Sequence, residues 1–543
     1  IESTMKRILF LLFTIHCSLF ALSQEVVNLA GSWQLAYGDS AKYNDYVILP
    51  GSMLTNGKGN PVTVNTRWTG SLYDSSYYFN PYMEKYRKEG NMKFPFFLTP
   101  EKEYVGKAWY RRTVYVPDSW KKKYITLYLE RPHIETTVFV NGEKVGNDNS
   151  LSTPHQFDVT KYVKIGERNQ IDICVYNGIE HVGVGQDSHS VTDQTQGNWN
   201  GIVGKMELRA QPQRLHIDKV TIRPRPFERD VQLEVILGGQ SPNFLYYQME
   251  VLIQQENKDS ANLYGVNYDI TSNRMLVDVP IPDKIAFWDE FHPNLYRLAI
   301  SVGDDYYETT FGMREVSVDG RDIILNRRPI YLRGTVENCC FPETGYPPTD
   351  EESWTRIFEK CKAYGLNHMR FHSYCPPEAA FVAADKLGFY LQPEGPSWPN
   401  HGVKLLSGQV IDQYLLQESK RIIDTYGHHP SFIMMAAGNE PAGNWVAYCN
   451  NWVKEMKKYD PTRIFCGASV GGGWAWDDGS EYHVKGGARG LDWTNHAPSS
   501  DDDYYSQILH PRNYKDTVDN NTPIIAHEQG QWCAFPDFSE IPQ

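Results

Sequence analysis

Ile433-Met434-Met435-Ala436-Ala437-Gly438-Asn439-Glu440-Pro441 runs, after a short Ala-Gly-Asn turn, into Trp445-Val446-Ala447-Tyr448-Cys449-Asn450-Asn451-Trp452-Val453. The first five residues are an apolar run of strand length. The stretch Trp445–Tyr459 reads as a helix. A buried strand, a polar turn and a covering helix make the unit of a parallel sheet. The same unit recurs on both sides. Ile330–Arg333 precedes the helix-like Glu351–Tyr364, Asn367–Phe371 precedes Pro377–Leu387, and Phe389–Gln392 precedes Val410–Tyr426. Arg463–Gly467 follows, and Pro523–Ala526 comes near the end. This number of repeats favours a (β/α)8 TIM barrel over a doubly wound sheet. No GxGxxG or P-loop motif supports a nucleotide site.

The barrel reading covers 319–543, which is 225 residues, against about 250 for a typical barrel. Seven strands are counted, the sixth poorly placed between Arg489 and Gln507. No sequence is left for an eighth strand. The expectation is a barrel incomplete at its C-terminus, in a chain that stops inside a longer protein and exposes unpaired strand edges.

Upstream the pattern is all-β. Residues 24–213 carry short alternating runs, among them Thr113–Val116, Ile125–Leu129, Thr137–Val140 and Gln170–Val175, with turn signals at Asn141-Gly142 and Asn177-Gly178. This suits a jelly roll. Ser71–Thr99, rich in Tyr, Phe, Pro and charge, reads as a long surface loop inserted in it. Residues 214–318 hold a second set of strands, including Val231–Leu237, Tyr246–Ile253, Arg274–Val279, Leu295–Val302 and Tyr306–Phe311. About seven strands in about 100 residues fit an immunoglobulin-like β-sandwich.

The chain has 543 residues, with 66 acidic against 53 basic and a net charge of −13. That balance argues against non-specific nucleic-acid binding and against docking on anionic membranes. Aromatic residues are abundant, with 14 Trp, 35 Tyr and 23 Phe; they suit either β-domain cores or the stacking of rings on sugars. Met5-Lys6-Arg7, the apolar stretch Ile8–Phe20 and Ala21-Leu22-Ser23 read as a secretory signal peptide, so 1–23 comprises upstream residues plus leader. The run is too short for a membrane span. The expected destination is secretion, in a bacterium the periplasm. Of nine cysteines, Cys17 falls in the leader. The remainder are too sparse for a disulfide scaffold, and no CxxC pair suggests a zinc ribbon.

Barrel chemistry sits where strands end. The fourth run ends in Asn439-Glu440, and the last, Ile524-Ile525-Ala526-His527-Glu528, also ends in a carboxylate. Strands four and seven face each other across a barrel mouth. Two carboxyls about 5–5.5 Å apart perform retaining glycoside hydrolysis, one as an ionised nucleophile and the other as a protonated acid. Either glutamate alone reads equally as a solvated or ion-paired strand end; the pair on facing strands carries the case.

Asn439-Glu440 and Glu528 in these settings resemble glycoside hydrolase family 2, which includes β-galactosidases, β-glucuronidases and β-mannosidases. Further fragments fall in the family's order: Gly106-Lys107-Ala108-Trp109-Tyr110-Arg111-Arg112, Val138-Phe139-Val140-Asn141-Gly142, Trp199-Asn200-Gly201-Ile202, Pro293-Asn294-Leu295-Tyr296, Phe311-Gly312-Met313-Arg314-Glu315 and Met369-Arg370-Phe371-His372-Ser373. The resemblance implies that the jelly roll is a sugar-binding domain. It implies Glu440 as general acid/base, Glu528 as nucleophile, Asn439 on the sugar 2-hydroxyl and His372 on other hydroxyls. Arg370 would support the nucleophile, or form a structural ion pair inside the barrel. Asp193 would be an acidic residue lent by the jelly roll, or else a loop cap. Glu394 could line the site, and Trp398, Trp474 and Trp476 could form a stacking platform or simply pack. His527 points away from the nucleophile. The strand-six tyrosine of the family is not anchored, with Tyr504 and Tyr505 as options, and the glucuronidase Asn-x-Lys signature is not evident.

The expected function is a retaining exo-β-glycosidase acting on terminal β-linked sugars of oligosaccharides. β-Galactosidase is the first choice, with β-glucuronidase and β-mannosidase as alternatives and a non-catalytic carbohydrate-binding protein as the reading from another class. No cofactor and no metal are expected, since no Asp/Glu/His cluster stands out along the chain. The partners are oligosaccharides or polysaccharide fragments, with a homo-oligomer left open. A GxSxG elbow is absent, which argues against an esterase.

Overall fold

The computed structural model describes residues 25–39, 42–70, 76–96, 98–195, 197–239, 247–256, 263–399, 402–470, 475–486 and 521–527. The leader, Trp474, Tyr504, Tyr505, Glu528 and the 489–507 window lie outside the described residues.

Two antiparallel sheets form the first domain. One orders Glu25–Asn28, Gly201–Pro212, Lys123–His133 and His155–Asp158, with Gly51–Ser52 also pairing on Gly201–Pro212. The other orders Glu143–Asp148, Glu135–Val140, Arg168–Tyr176, Lys107–Tyr115, Gly31–Tyr37 and Asp45–Leu49. Strand alternation puts Trp33, Leu35, Tyr110, Leu127, Leu129, Ile171 and Leu208 between them as one core. Asn141 and Gly142 both take positive φ, 52° and 86°, which the tight hairpin turn between Glu135–Val140 and Glu143–Asp148 requires.

The Ser71–Thr99 insert lies largely on the surface, as its composition suggests, but its described part is not all irregular. It carries a helical turn, Ser76–Phe79, and a 3-10 helix, Pro81–Arg87. Its rings close on themselves and on the jelly roll's edge: Phe94 lies 4.9 Å from Tyr77 and 5.0 Å from Trp68. Tyr77 and Phe94 form a small buried cluster there, while Tyr78, Phe79 and Tyr82 stay exposed.

The second domain packs a three-stranded sheet (His216–Arg225, Asp230–Gly238, Arg274–Pro280) on a four-stranded one (Leu263–Asp269, Gln248–Gln255, Tyr296–Val302, Asp305–Phe311). Val231, Leu233, Val251, Ile253, Leu298 and Ile300 fill the space between them.

Ile330–Arg333 is not the first barrel strand. Val316–Asp319, Asp322–Leu325 and Arg328–Ile330 form an antiparallel three-stranded hairpin sheet. Its second turn places Asn326 and Arg327 at φ 53° and 62°. Ile323 and Leu325 of the hairpin join Tyr390, Ile433, Met434, Ile464 and Tyr482 in the core inside the barrel. The first barrel strand is Gly334–Glu337, parallel to the second, His368–Phe371, which is parallel to the third, Tyr390–Pro393. Single bridges, Leu391 with Phe432 and Glu394 with Ala436, join the third to the fourth, Met434–Ala436. The fourth pairs with the fifth, Ile464–Cys466. Ser469–Val470, just beyond it, pairs with the sixth, His483–Gly486, which pairs with the seventh, Ile524–His527. The sixth strand therefore lies ahead of the expected window. It is only four residues long, and its His and Lys hide it from a search for apolar runs.

Helices Glu351–Ala363, Glu378–Leu387, Ile411–Tyr426 and Trp445–Tyr459 cover the barrel. The Asp350 carboxylate caps the first of these by accepting from Ser353 N at 2.8 Å. Gly388 ends the second at φ 66°, the left-handed geometry that glycine adopts without strain. No helix among the described residues is long and apolar enough to cross a membrane.

Candidate active site

Asn439 and Glu440 leave the fourth strand through a backbone that tolerates no side chain nearby. A Cβ on Gly438 would come within 2.5 Å of Ser397 O, and one on Gly395 would collide with Ala437 O. With that close approach secured, Asn439 N donates to Ser397 O at 2.8 Å and Glu440 N to Ser469 O at 2.9 Å. The pair is strapped between the loop after strand three and the segment after strand five. Glu440 sits at φ 37°, in a region that costs a non-glycine residue of order 1–3 kcal/mol. Its Oε2 accepts from Trp398 Nε1 at 3.1 Å.

Behind them is a buried ionic cluster. Arg370 Nε donates to Glu394 Oε1 at 2.6 Å and Nη2 to Glu394 Oε2 at 3.2 Å. Nη2 also donates to Asn439 Oδ1 at 2.6 Å. Ser373 N donates to Glu394 Oε2 at 2.8 Å, and Ser469 Oγ to Oε1. Burial would raise the Glu394 carboxyl, but the Arg370 guanidinium, then His372 and the donors from Arg370 and Ser469, outweigh it and hold the group below its ordinary value. Glu394 is thus a fully buried anion saturated by protein donors, not a sugar-facing group. Among the described residues Arg370 forms the structural ion pair with Glu394 and orients Asn439; support of the nucleophile, the other expectation for it, involves Glu528, which lies outside the described residues.

That orientation has a consequence. With Oδ1 taken by Arg370, the Asn439 amide is left with a buried Nδ2 that has no hydrogen-bond partner among the described residues. An orphaned buried donor costs about 1–3 kcal/mol, and a ligand hydroxyl would remove that cost.

His372, at the end of strand two, is buried, with Nδ1 3.1 Å from Ser373 Oγ. Its ring centre lies 4.8 Å from Trp398 and 4.5 Å from His189. His189 and its neighbours were not singled out in the sequence. They stand on a jelly-roll loop that reaches the barrel mouth: His189 N donates to Ser373 Oγ at 2.8 Å, and Ser188 and Ser190 hydroxyls donate to Ser373 O at 3.1 and 2.9 Å. Trp398 N donates to Val184 O at 3.1 Å on the same loop. Gly185 lies so close that a Cβ there would strike Trp398 O. Only the density of small and polar residues over 183–190 hinted that this loop is buried against something.

Asp193 stands apart. Its Oδ2 accepts from Gly70 N at 2.7 Å, and it lines a cleft of about 40 Å³ with Trp68, Glu103, Tyr104, Trp199 and Gly345. Burial pushes its carboxyl up to about 7 and that of Glu103 up to about 6. It contacts this jelly-roll cleft, with Gly345 of the first barrel loop on the far wall, rather than the Arg370 cluster. Trp476 packs edge-on against His483 at 4.7 Å, as a core ring does. His527 closes the seventh strand.

Comparison with known proteins matches three sequence profiles in chain order. "Glycosyl hydrolases family 2, sugar binding domain" covers residues 26–212, "Glycosyl hydrolases family 2" covers 215–314, and "Glycosyl hydrolases family 2, TIM barrel domain" covers 316–481. The chain is 25% identical to the beta-galactosidase large subunit of Latilactobacillus sakei over 347 residues, 60% of this chain and 52% of that protein. It is 24% identical to a beta-glucuronidase of Streptococcus agalactiae over 398 residues, 67% of this chain and 64% of that protein. The matches therefore span between about half and less than two thirds of these relatives. In fold it is similar to the beta-D-glucuronidase of Dictyoglomus thermophilum, with a TM-score of 0.64 at 18% identity, covering 93% of this chain and 82% of that one. Since the three profiles together run through both sandwiches and most of the barrel, the chain belongs to glycosyl hydrolases family 2.

Proposed function

We propose that this protein is a retaining exo-β-glycosidase that removes terminal β-linked sugars from oligosaccharides by double displacement. The observation that carries the reading is the buried Nδ2 of Asn439, without a hydrogen-bond partner among the described residues, on the residue that precedes Glu440 at the end of the fourth strand. A sugar seated there receives a hydrogen bond from Nδ2 at its 2-hydroxyl while Glu440 protonates the departing glycosidic oxygen. Trp398 Nε1 holds the carboxyl toward that oxygen. Glu528, one residue past the seventh strand and outside the described residues, is the proposed nucleophile. It forms the glycosyl ester, which water then opens, with Glu440 taking back the proton. His372 and His189 present imidazole nitrogens to the remaining hydroxyls. The leader at 5–23 is proposed to export the chain.

Relatives named as beta-galactosidase and beta-glucuronidase support galactose and glucuronic acid alike; mannose is third. The test is hydrolysis by the intact protein of nitrophenyl β-galactoside, β-glucuronide, β-mannoside and β-glucoside. Cleavage of one of the first two well above the others is expected. Failure on all four would overturn the reading and leave a carbohydrate-binding protein in its place.

A further inference from the structure

The segment between the third barrel helix and the fourth strand reads Gly427-His428-His429-Pro430. The two imidazole ring centres lie 4.1 Å apart. Glu378, some fifty residues earlier at the start of the helix Glu378–Leu387, meets them, so that one potential ligand atom from each of the three residues lies within 4.8 Å of the others. Sequence spacing hid this cluster, because the fold alone brings Glu378 to the histidine pair.

His429 is prepared in a specific way. Its Nδ1 lies 2.6 Å from Asp385 Oδ2, and Asp385 Oδ1 is fixed in turn by Ser431 N at 3.0 Å. With Nδ1 facing this carboxylate, Nε2 is the ring nitrogen left for another partner. That Nε2 is buried and has no hydrogen-bond partner among the described residues, in a residue only 2% exposed. Glu378, Phe381 and Asp385 share one face of their helix, and the Phe381 ring stacks on His429 at 5.3 Å. Glu378 and Asp385 are two turns apart, about 10.5 Å, so the imidazole lies between them. With Asp385 on Nδ1, Nε2 is the nitrogen left for Glu378 and His428.

A carboxylate that grips one nitrogen of an imidazole and leaves the other free is the arrangement that orients metal-binding histidines. A purely structural Asp385–His429 pair accounts for Nδ1. It does not account for a buried Nε2 with no hydrogen-bond partner among the described residues, in a ring that lies beside a second imidazole and a carboxylate.

We propose that Glu378, His428 and His429 bind a divalent metal ion, zinc being the ion whose preferences this donor set meets. Two imidazoles and one carboxylate are a zinc-type set, with water as the fourth ligand. His428 also lines a cleft of about 290 Å³ between Lys219–Arg223 of the second sandwich and Lys458–Asp460 of the barrel, which gives the ion an entry path. The site sits at a domain seam. A Cβ on Gly312 would come within 2.7 Å of Pro430, and Arg314 donates to Pro430 O at 3.1 Å and Phe432 O at 2.9 Å. A bound ion would lock the segment on which the linker from the second sandwich rests.

The experiment uses the intact protein, stripped with a chelator and titrated with Co²⁺ and then Zn²⁺ alone. Uptake of one Co²⁺ with the strong visible bands of a four-coordinate ion is expected, displaced by Zn²⁺, with Zn²⁺ raising the melting temperature. His428→Gln and Glu378→Gln should each weaken binding at least about tenfold and remove the thermal shift. Absence of uptake by the wild-type protein would overturn the proposal. So would a thiolate-to-cobalt charge-transfer band, which would put the ion on cysteine, or unchanged affinity in both variants. The wild-type titration decides the matter even if a variant folds poorly.

Discussion

Replacing Glu440 with glutamine is expected to lower kcat/KM on a natural oligosaccharide by about 10²–10⁴-fold, the range for loss of a general acid. Glutamine keeps the acceptor for Trp398 Nε1 and the strained φ of 37° is a backbone property, so the local geometry is retained while the proton is lost. The loss should depend on the leaving group. A dinitrophenolate departs without protonation, so the first step on dinitrophenyl glycosides should suffer far less. Rates measured side by side on both substrates test the assignment. Equal losses would show that Glu440 serves binding or folding and not proton transfer.

The second large effect concerns stability. Arg370 and Glu394 are 4% and 0% exposed. Removing one partner strands the other charge in the barrel, a loss of about 3–5 kcal/mol for either Arg370→Ala or Glu394→Ala. Lysine should not rescue Arg370, because one ammonium cannot serve both Glu394 oxygens and Asn439 Oδ1 in the planar geometry seen here. An apolar replacement of both partners should cost less than either single change. The pH dependence has a definite sign. Glu394 is held below its ordinary value near 4.5, so its contribution is fully present above that value and is lost as the pH falls through the lower folded one. The stability gap between wild type and the double variant should therefore stay constant near neutral pH and narrow as the pH falls below about 4.5. Urea unfolding of the four proteins measures this. Single losses under about 1 kcal/mol, or a gap that widens on acidification, would contradict the buried pair.

What the sequence disclosed follows from what is local in it. Apolar runs second to fifth, the Asn439-Glu440 strand end, and Arg370 and His372 two residues apart on one strand all express strand geometry that the chain carries within a few residues. The first and sixth strands were misplaced because the tie-breaking information is distant. Ile330 looks like a barrel residue until the hairpin partner Ile323 claims it, and His483–Gly486 becomes a strand only between two neighbours supplied by other segments. Glu394 illustrates the same limit. Its position at a strand end was legible, but its neutralisation by Arg370 depends on two strands being adjacent. His189, and the meeting of Glu378 with His428 and His429, are products of domain docking and helix packing, for which no periodicity gives a sign.

The central claim is that the Asn439 amide nitrogen reads a sugar hydroxyl in the reacting complex. The direct measurement compares Asn439→Ala with the wild-type protein on the preferred nitrophenyl β-glycoside and on its 2-deoxy analogue. The account predicts a loss of about 10²-fold or more on the parent substrate, the scale of one preorganised donor, and almost none on the analogue, which has no hydroxyl to receive the bond. An equal loss on both would contradict it, assigning Asn439 to the support of Arg370 and not to the sugar.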